Sequence, residues 1–173
     1  VLTINRALPS ESPAIAEVHV RSWQGAYCDF LPADYLQTIC VAKREADWAG
    51  RLKNGNSSVL VARKDDLLVG WVNFGHSRDH DAPPRTAEIM AFYVSPPHWD
   101  KGIGRSLWLA CLADLGEAGF HCVTLWVLEN NRRGISFYES AGFSAEPGRM
   151  EEVTIGGVAL TELRYVRPVC DRP

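Results

Sequence analysis

The stretch from Ala87 to Leu107 constrains this chain more than any other. Ala87-Glu88-Ile89-Met90-Ala91-Phe92-Tyr93-Val94 is apolar and aromatic enough for a buried strand. Ser95-Pro96-Pro97 ends it, because proline has no N–H to give to a ladder. After Gly102-Ile103-Gly104, the residues Leu107, Cys111, Leu112 and Leu115 recur at helical spacing, so a helix begins at or just after Gly104. A glycine turn that opens a helix leaves backbone N–H groups pointing outward with no side chain in front of them. That is an anion site, most naturally one for phosphate.

Two common phosphate motifs fail against it. The dinucleotide fingerprint would need its third glycine where Leu107 stands, and no Gly-Lys-Ser/Thr follows at P-loop spacing. Trp99-Asp100-Lys101-Gly102-Ile103-Gly104 instead resembles the acetyl-CoA signature Gln/Arg-x-x-Gly-x-Gly/Ala of the GNAT superfamily of N-acetyltransferases, with Trp99 in place of the usual polar residue. A second block, Leu125 to Phe143, is similar to the downstream GNAT pattern Asn-x-x-Ala-x-x-Phe-Tyr-x-x-x-Gly-Phe. Asn131, Phe137, Tyr138, Gly142 and Phe143 fall on its fixed positions, and Gly134 replaces the usual alanine. The resemblance spans about Leu2 to Val166.

Composition sets the frame around these motifs. A chain of 173 residues is read as a single domain, 1–173, able to bury most of the surface its unfolded form exposes. Hydrophobic residues make up 46% and charged residues 23%, and no apolar run reaches the length of a membrane span. No signal-peptide pattern is visible, so a cytoplasmic location and no membrane partner are expected. The five cysteines, Cys28, Cys40, Cys111, Cys122 and Cys170, include no Cys-x-x-Cys and suggest neither a disulfide framework nor a zinc site. A net charge of −3 with mixed signs argues against nucleic acid as a partner and suits a cationic amine. A homodimer is left open.

In chain order, Leu2 to Ala7 reads as a strand, followed by a helix capped by Ser10 or Ser12 with Pro13 in its first turn. Ala33 to Ile39 and Val41 to Leu52 read as helices, and Ser58 to Arg63 and Leu67 to Gly75 as a hairpin turning on Lys64-Asp65-Asp66. Arg78 to Arg85 reads as a mobile charged loop, and its His80 and Asp81, with His76, lack the third histidine a metal site would want. Cys122 to Val127 is an apolar strand placed parallel to Ala87–Val94, because a helical crossover joins the two. A helix over Arg133 to Ser140 and a hairpin, Met150 to Ile155 with Val158 to Val166, complete the chain.

The resemblance implies an α/β (α+β) fold of GNAT type. Its mixed, mostly antiparallel sheet has about six or seven strands with a splayed parallel pair at the centre, flanked by about four or five helices. It also implies acetyl-CoA as co-substrate and no metal. The pantetheine arm would bond to the backbone of Phe92, Tyr93 and Val94, and the pyrophosphate would lie over Lys101, Gly102, Ile103, Gly104, Arg105 and Ser106, with Asn131 and Tyr138 also contacting the cofactor. The acceptor, a primary amine of a small molecule or peptide, would meet Trp23, Tyr27 and Asp29. For Trp23 a plain core role is the competing reading.

Transfer would proceed by direct attack in a ternary complex, with the Phe92 N–H polarising the carbonyl and Tyr138 protonating the leaving thiolate. Glu88 would act as base. Strand alternation puts it on one face with Met90, Phe92 and Val94, among apolar neighbours. The alternatives are an edge glutamate paired with Arg85, or a water chain in place of any single base, as some GNAT relatives use. A non-catalytic acyl-CoA sensor and a protein N-terminal acetyltransferase are the competing functions.

Overall fold

A computed structural model describes residues 1–169. Seven strands form one sheet in the order β1-β2-β3-β4-β5-β7-β6: β1 Leu2–Arg6, β2 Ser58–Lys64, β3 Leu67–His76, β4 Thr86–Val94, β5 Cys122–Leu128, β6 Ser144–Ile155 and β7 Val158–Pro168. The helices are α1 Ser12–Ala26, α2 Ala33–Thr38, α3 Val41–Asn54, α4 Ile103–Glu117 and α5 Arg132–Ser140. Every strand pair is antiparallel except β4–β5.

The chain places a helical layer on each face of the sheet. On one face, Leu107, Cys111 and Leu115 of α4 pack with Val72, Phe74, Ile89, Val123 and Leu125. On the other, Ile15, Ala16 and Val18 of α1 and Trp48 of α3 pack with Val59, Val61 and Trp71. A third cluster, with Tyr27, Leu31, Leu36, Leu128 and Leu160, seats α2 against the β5–β7 end. Full burial of a side chain such as Leu107 contributes about 1.5–3 kcal/mol, so these clusters fix which face each strand residue takes.

The centre of the sheet departs from regular alternation at one residue. Along β3–β4, Asn73 opposes Ala91 and Phe74 opposes Ile89, so Met90 is an unpaired bulge residue. Before it, Ala87 and Ile89 face α4; after it, Phe92 and Val94 do, while Ala91 and Tyr93 face α1. Glu88 therefore lies on the face opposite Phe92 and Val94, which corrects the single face expected from a period of two. The parallel pairing of β4 with β5 runs from Thr86↔Cys122 to Ile89↔Leu125 and stops there. Beyond the bulge the two strands part.

Most elements fall where the sequence places them, with three differences. Neither Ser10 nor Ser12 caps α1: Ser12 is already helical, and Glu11 instead accepts from the Leu8 N–H at 2.5 Å. β6 begins at Ser144, ahead of the expected Met150, because its register breaks between Ala145 and Met150, around Pro147 and Gly148. The loop from Ser77 to Arg85 is pinned in place. The Arg164 guanidinium, from β7, donates to Asp79 at 3.2 Å, to Asp81 at 2.8 and 3.1 Å and to Glu146 at 2.9 and 3.0 Å, and the Trp126 indole donates to Asp79 at 3.1 Å. Arg164 is itself buried, and these acids hold its guanidinium protonated and Asp81 ionised, Asp81 being pulled down to about 2 by the Arg164 hydrogen bonds. Cys170 lies outside the described residues.

Candidate active site

Where β4 and β5 part, a cleft of about 1190 Å³ opens between them and runs from the first turn of α4 to the aromatic end of α1. Its β4 wall is backbone. The Ser95 N–H bonds to Val69 on β3 at 2.8 Å, so by alternation the N–H and C=O groups of Phe92 and Val94 point the other way, into the gap. The Val94 carbonyl is already taken by the Trp99 indole at 2.6 Å and the Ser22 hydroxyl at 3.2 Å. Both Phe92 groups and the Val94 N–H face the cleft without a strand partner, which is the edge an extended ligand would pair with.

At one end of the gap, Gly102 caps α4 in the left-handed region, φ 76°, where a side chain would be strained. The Ser106 N–H closes the first helical turn onto the Gly102 carbonyl at 3.0 Å, leaving the N–H groups of Ile103, Gly104 and Arg105 without intrahelical partners. Gly104 is glycine for a different reason. A Cβ there would come within 3.1 Å of the Phe137 ring, so its absence lets α5 close against α4. Arg105, Arg132 and Arg133 line this end, and Arg133 also lies 4.5 Å over the Trp99 ring while pairing with Asp100 at 2.9 Å. Bare N–H groups, a positive helix end and three guanidinium groups suit a pyrophosphate.

Tyr138 reaches the middle of the cleft from α5. The helix is started by Asn131, whose Oδ1 accepts from the Gly134 N–H at 3.0 Å, and a Cβ at residue 134 would sit 2.5 Å from Asn131 Nδ2. An alanine there would require the Asn131 amide to shift. The Tyr138 ring stands edge-on to Phe92, Phe137 and Phe143, and its hydroxyl has no hydrogen-bond partner among the described residues. Burial raises its pKa well above the ordinary phenol value, with Tyr93 adding to the shift. The phenol is a proton donor at any physiological pH.

On the α1 face, Trp23 donates to the Tyr93 hydroxyl at 2.8 Å, and Tyr27 stands edge-on to Trp23. Behind Tyr93, the buried His19 stacks on its ring and accepts from the Trp48 indole at 3.2 Å. Burial, aided by Arg44 and Arg51, lowers the His19 pKa to about 3, so this imidazole is neutral. A side chamber opens from the cleft past Ile89, Met90, Trp126 and Glu162 to Arg78, Asp79, Glu88 and Glu151. Glu88 is held there by Arg78: the backbone N–H donates to Oε2 at 2.9 Å, Nε to Oε2 at 3.1 Å, and Nη2 to Oε1. Glu162 lines both spaces. Burial raises its pKa, Glu151 raises it further and Arg78 opposes the shift.

The model of the Acetyltransferase (GNAT) family matches residues 15–143, the greater part of the chain. The protein belongs to the GNAT family of acetyltransferases. It is similar to the uncharacterized N-acetyltransferase YuaI of Bacillus subtilis, 30% identical with 94% of this chain and 91% of YuaI covered. It is also similar to the L-amino acid N-acyltransferase MnaT of Escherichia coli, 29% identical over 82% of this chain and 79% of MnaT. Among solved structures, PaiA N-acetyltransferase from Thermoplasma acidophilum, in complex with coenzyme A, superposes with a TM-score of 0.76 at 21% identity, covering 97% of this chain and 99% of that one. YncA from Salmonella typhimurium, solved with its cofactor acetyl-CoA, gives 0.75 at 22% identity over 100% and 96%. Acetyl-CoA is the cofactor of the GNAT enzymes, and the unpaired β4 edge and the free α4 amides of this chain fit it.

Set against this GNAT frame, Phe92, Tyr93, Val94, Gly102, Ile103, Gly104, Arg105, Asn131, Tyr138, Trp23 and Tyr27 all line the cleft. Four expected residues do not, Glu88 among them. Lys101 turns its ammonium to the Pro97 carbonyl at 2.7 Å, Ser106 directs its hydroxyl to the Gly102 carbonyl at 3.2 Å, and Asp29 is exposed beside Cys28. Glu88 is in the side chamber with Arg78 as its partner; Arg85 instead contacts the His121 ring at 3.3 Å. The Glu88 carboxylate is ion-paired with Arg78 in a chamber that Ile89, Met90 and Trp126 also line. Sequence reasoning missed Arg132, Arg133 and Glu162. Among the described residues no group of three or more His, Cys, Asp or Glu is disposed to hold a metal, and no helix is long and apolar enough to cross a membrane.

Proposed function

We propose that this protein transfers the acetyl group of acetyl-CoA to the primary amine of a small molecule or peptide, both substrates being bound at once. The observation that carries the reading is the juxtaposition at one gap of an unpaired strand edge, an unpartnered phenol and an aromatic wall. Bound acetyl-CoA would supply an activated thioester carbonyl. Phe92 and Val94 would hold the pantetheine arm through their free backbone groups, and the amides of Ile103, Gly104 and Arg105 would hold the pyrophosphate, helped by Arg105, Arg132 and Arg133. The Phe92 N–H would polarise the carbonyl, and Tyr138 would give its proton to the departing sulfur.

Trp23, Tyr27 and Tyr93 would shape the acceptor side, and Glu88 would take part from the side chamber, fixed by Arg78. An L-amino acid is the acceptor class to test first, since MnaT acts on L-amino acids by its name and covers most of this chain. The direct test follows free thiol release from acetyl-CoA across a panel of L-amino acids, diamines and short peptides, with acceptor-free hydrolysis as the control. Thiol release above that control with at least one amine, together with the N-acetylated product by mass, is the expected result. Release that no amine increases would refute the transfer.

A further inference from the structure

We propose that Glu162, on β7, is the group that takes the proton from the acceptor ammonium, an inference that rests on the acetyl-transfer reading above. Three observations converge on it. Glu162, like Ile89, Met90 and Trp126, lines both the main cleft and the side chamber, on the wall of the space an acceptor would enter. β7 pairs Glu162 with Leu128 of β5, the strand that forms the far lip of the gap. Its carboxylate receives no hydrogen bond among the described residues, whereas the Glu88 carboxylate receives three from Arg78. A base needs a free lone pair: Arg78 occupies three of the roughly four lone-pair sites of Glu88, whereas those of Glu162 are open.

The groups facing Glu162 come from four directions. Arg78 of the β3–β4 loop is the nearby cation, Glu151 lies opposite Glu162 across β6–β7, Tyr27 caps the end of α1 and Tyr93 comes from β4. Partial desolvation and the like-charged Glu151 move its titration upward, toward the range where a carboxylate works best as a base near neutrality. An ammonium arriving between Glu151 and Glu162 also relieves their mutual repulsion. The same carboxylate that attracts the acceptor then receives its proton.

The proton account closes. The ammonium gives one proton to Glu162, which releases it to solvent after turnover. The nitrogen lone pair then forms the C–N bond, the C–S bond breaks with its electron pair on sulfur, and Tyr138 protonates that sulfur. A second proton from the nitrogen restores Tyr138.

The test compares Glu162→Gln and Glu88→Gln with the wild type, using L-methionine sulfone as an acceptor that is an ammonium ion at pH 7 and methoxyamine as one that is already neutral. Acetyl-CoA affinity and far-ultraviolet circular dichroism report on folding. The expected result for Glu162→Gln is a fall of about 10²-fold in kcat/KM for the ammonium acceptor at pH 7, shrinking as the pH rises toward the amine's own pKa, with methoxyamine turned over within about twofold of wild type. Glu162→Asp, which keeps the charge, should recover part of the loss. A Glu162→Gln enzyme with wild-type kcat/KM and pH profile would overturn the assignment, as would a Glu88→Gln enzyme that alone reproduces the loss. A wild type that acetylates neither of these amines nor any other of the acceptor panel overturns the transfer reading and the base with it, and so is distinguishable from a failure of Glu162 alone.

Discussion

The Trp99 indole donates to the Val94 carbonyl at 2.6 Å, and so closes one backbone group of the strand edge that the cofactor would otherwise use. Trp99 stands where the GNAT signature carries a polar residue, yet it acts through its own N–H. Its ring is also covered by the Arg133 guanidinium. Trp99→Phe removes the donor and keeps the ring. Because the Ser22 hydroxyl still reaches the same carbonyl, the expected loss is about 1 kcal/mol of stability, read as a lower urea midpoint at unchanged slope.

Tyr138→Phe should lower kcat on the order of 10²-fold with acetyl-CoA affinity within about twofold of wild type. The pH profile gives a second check. A proton donor whose pKa is raised stays protonated at higher pH, so the wild-type rate should show no alkaline limb below about pH 10 that disappears in the variant. Turnover by Tyr138→Phe within about twofold of wild type, with chemistry shown to be rate-limiting, would remove this residue from the mechanism.

At Gly104 the first atoms a new side chain meets belong to Phe137. Gly104→Val should therefore lower the melting temperature, by overpacking of about 1–3 kcal/mol, as well as weaken acetyl-CoA binding. Adding Phe137→Leu should return much of the stability and leave binding weak. Calorimetry on the single and double variants separates the two roles of this glycine, and full recovery of affinity in the double variant would show that Gly104 serves packing alone.

His19 sets an acid limit on stability. Its folded pKa of about 3 lies below the unfolded value near 6.5, so below pH 6.5 the unfolded chain takes up a proton that the folded chain refuses. Its contribution is fully present above pH 6.5 and is lost as the pH falls toward 3, at a slope of at most about 1.4 kcal/mol per pH unit. Urea titrations between pH 7 and pH 5 should show this slope in the wild type and a shallower one in His19→Phe.

Much of this fold could be read from the chain because its signals are local. The glycine turn, the apolar periodicity of α4 and the Asp65-Asp66 and Gly156-Gly157 hairpin turns each depend on neighbouring residues. What escaped depends on partners distant in sequence. No local pattern announces that Met90 is a bulge, yet that single unpaired residue reverses the faces of Glu88 and Phe92. Arg78 to Arg85 has the composition of a solvated loop, and residues far along the chain, Arg164 above all with Trp126 and Arg149, fix it. Glu162 and Arg164 alternate with Leu163 and Tyr165 as the outer face of a hairpin would, so the burial of Arg164 against the loop and the place of Glu162 on the cleft wall were hidden. In the α5 turn, Arg132 and Arg133 adjoin the matched Asn131, and a basic pair after a helix cap was the one signal that could have found them.

The parting of β4 from β5 leaves the sheet with two bare edges in its own middle. Edges of this kind are templates on which other chains add strands, and most proteins hide them at the rim or cover them with charge. Here the cover would be the cofactor. The empty protein would then be the form exposed to strand exchange and self-association, and a cell's acetyl-CoA supply would govern the lifetime of the enzyme as well as its rate, raising its stability by RT ln(1 + [L]/Kd) and sealing the interior of the sheet together.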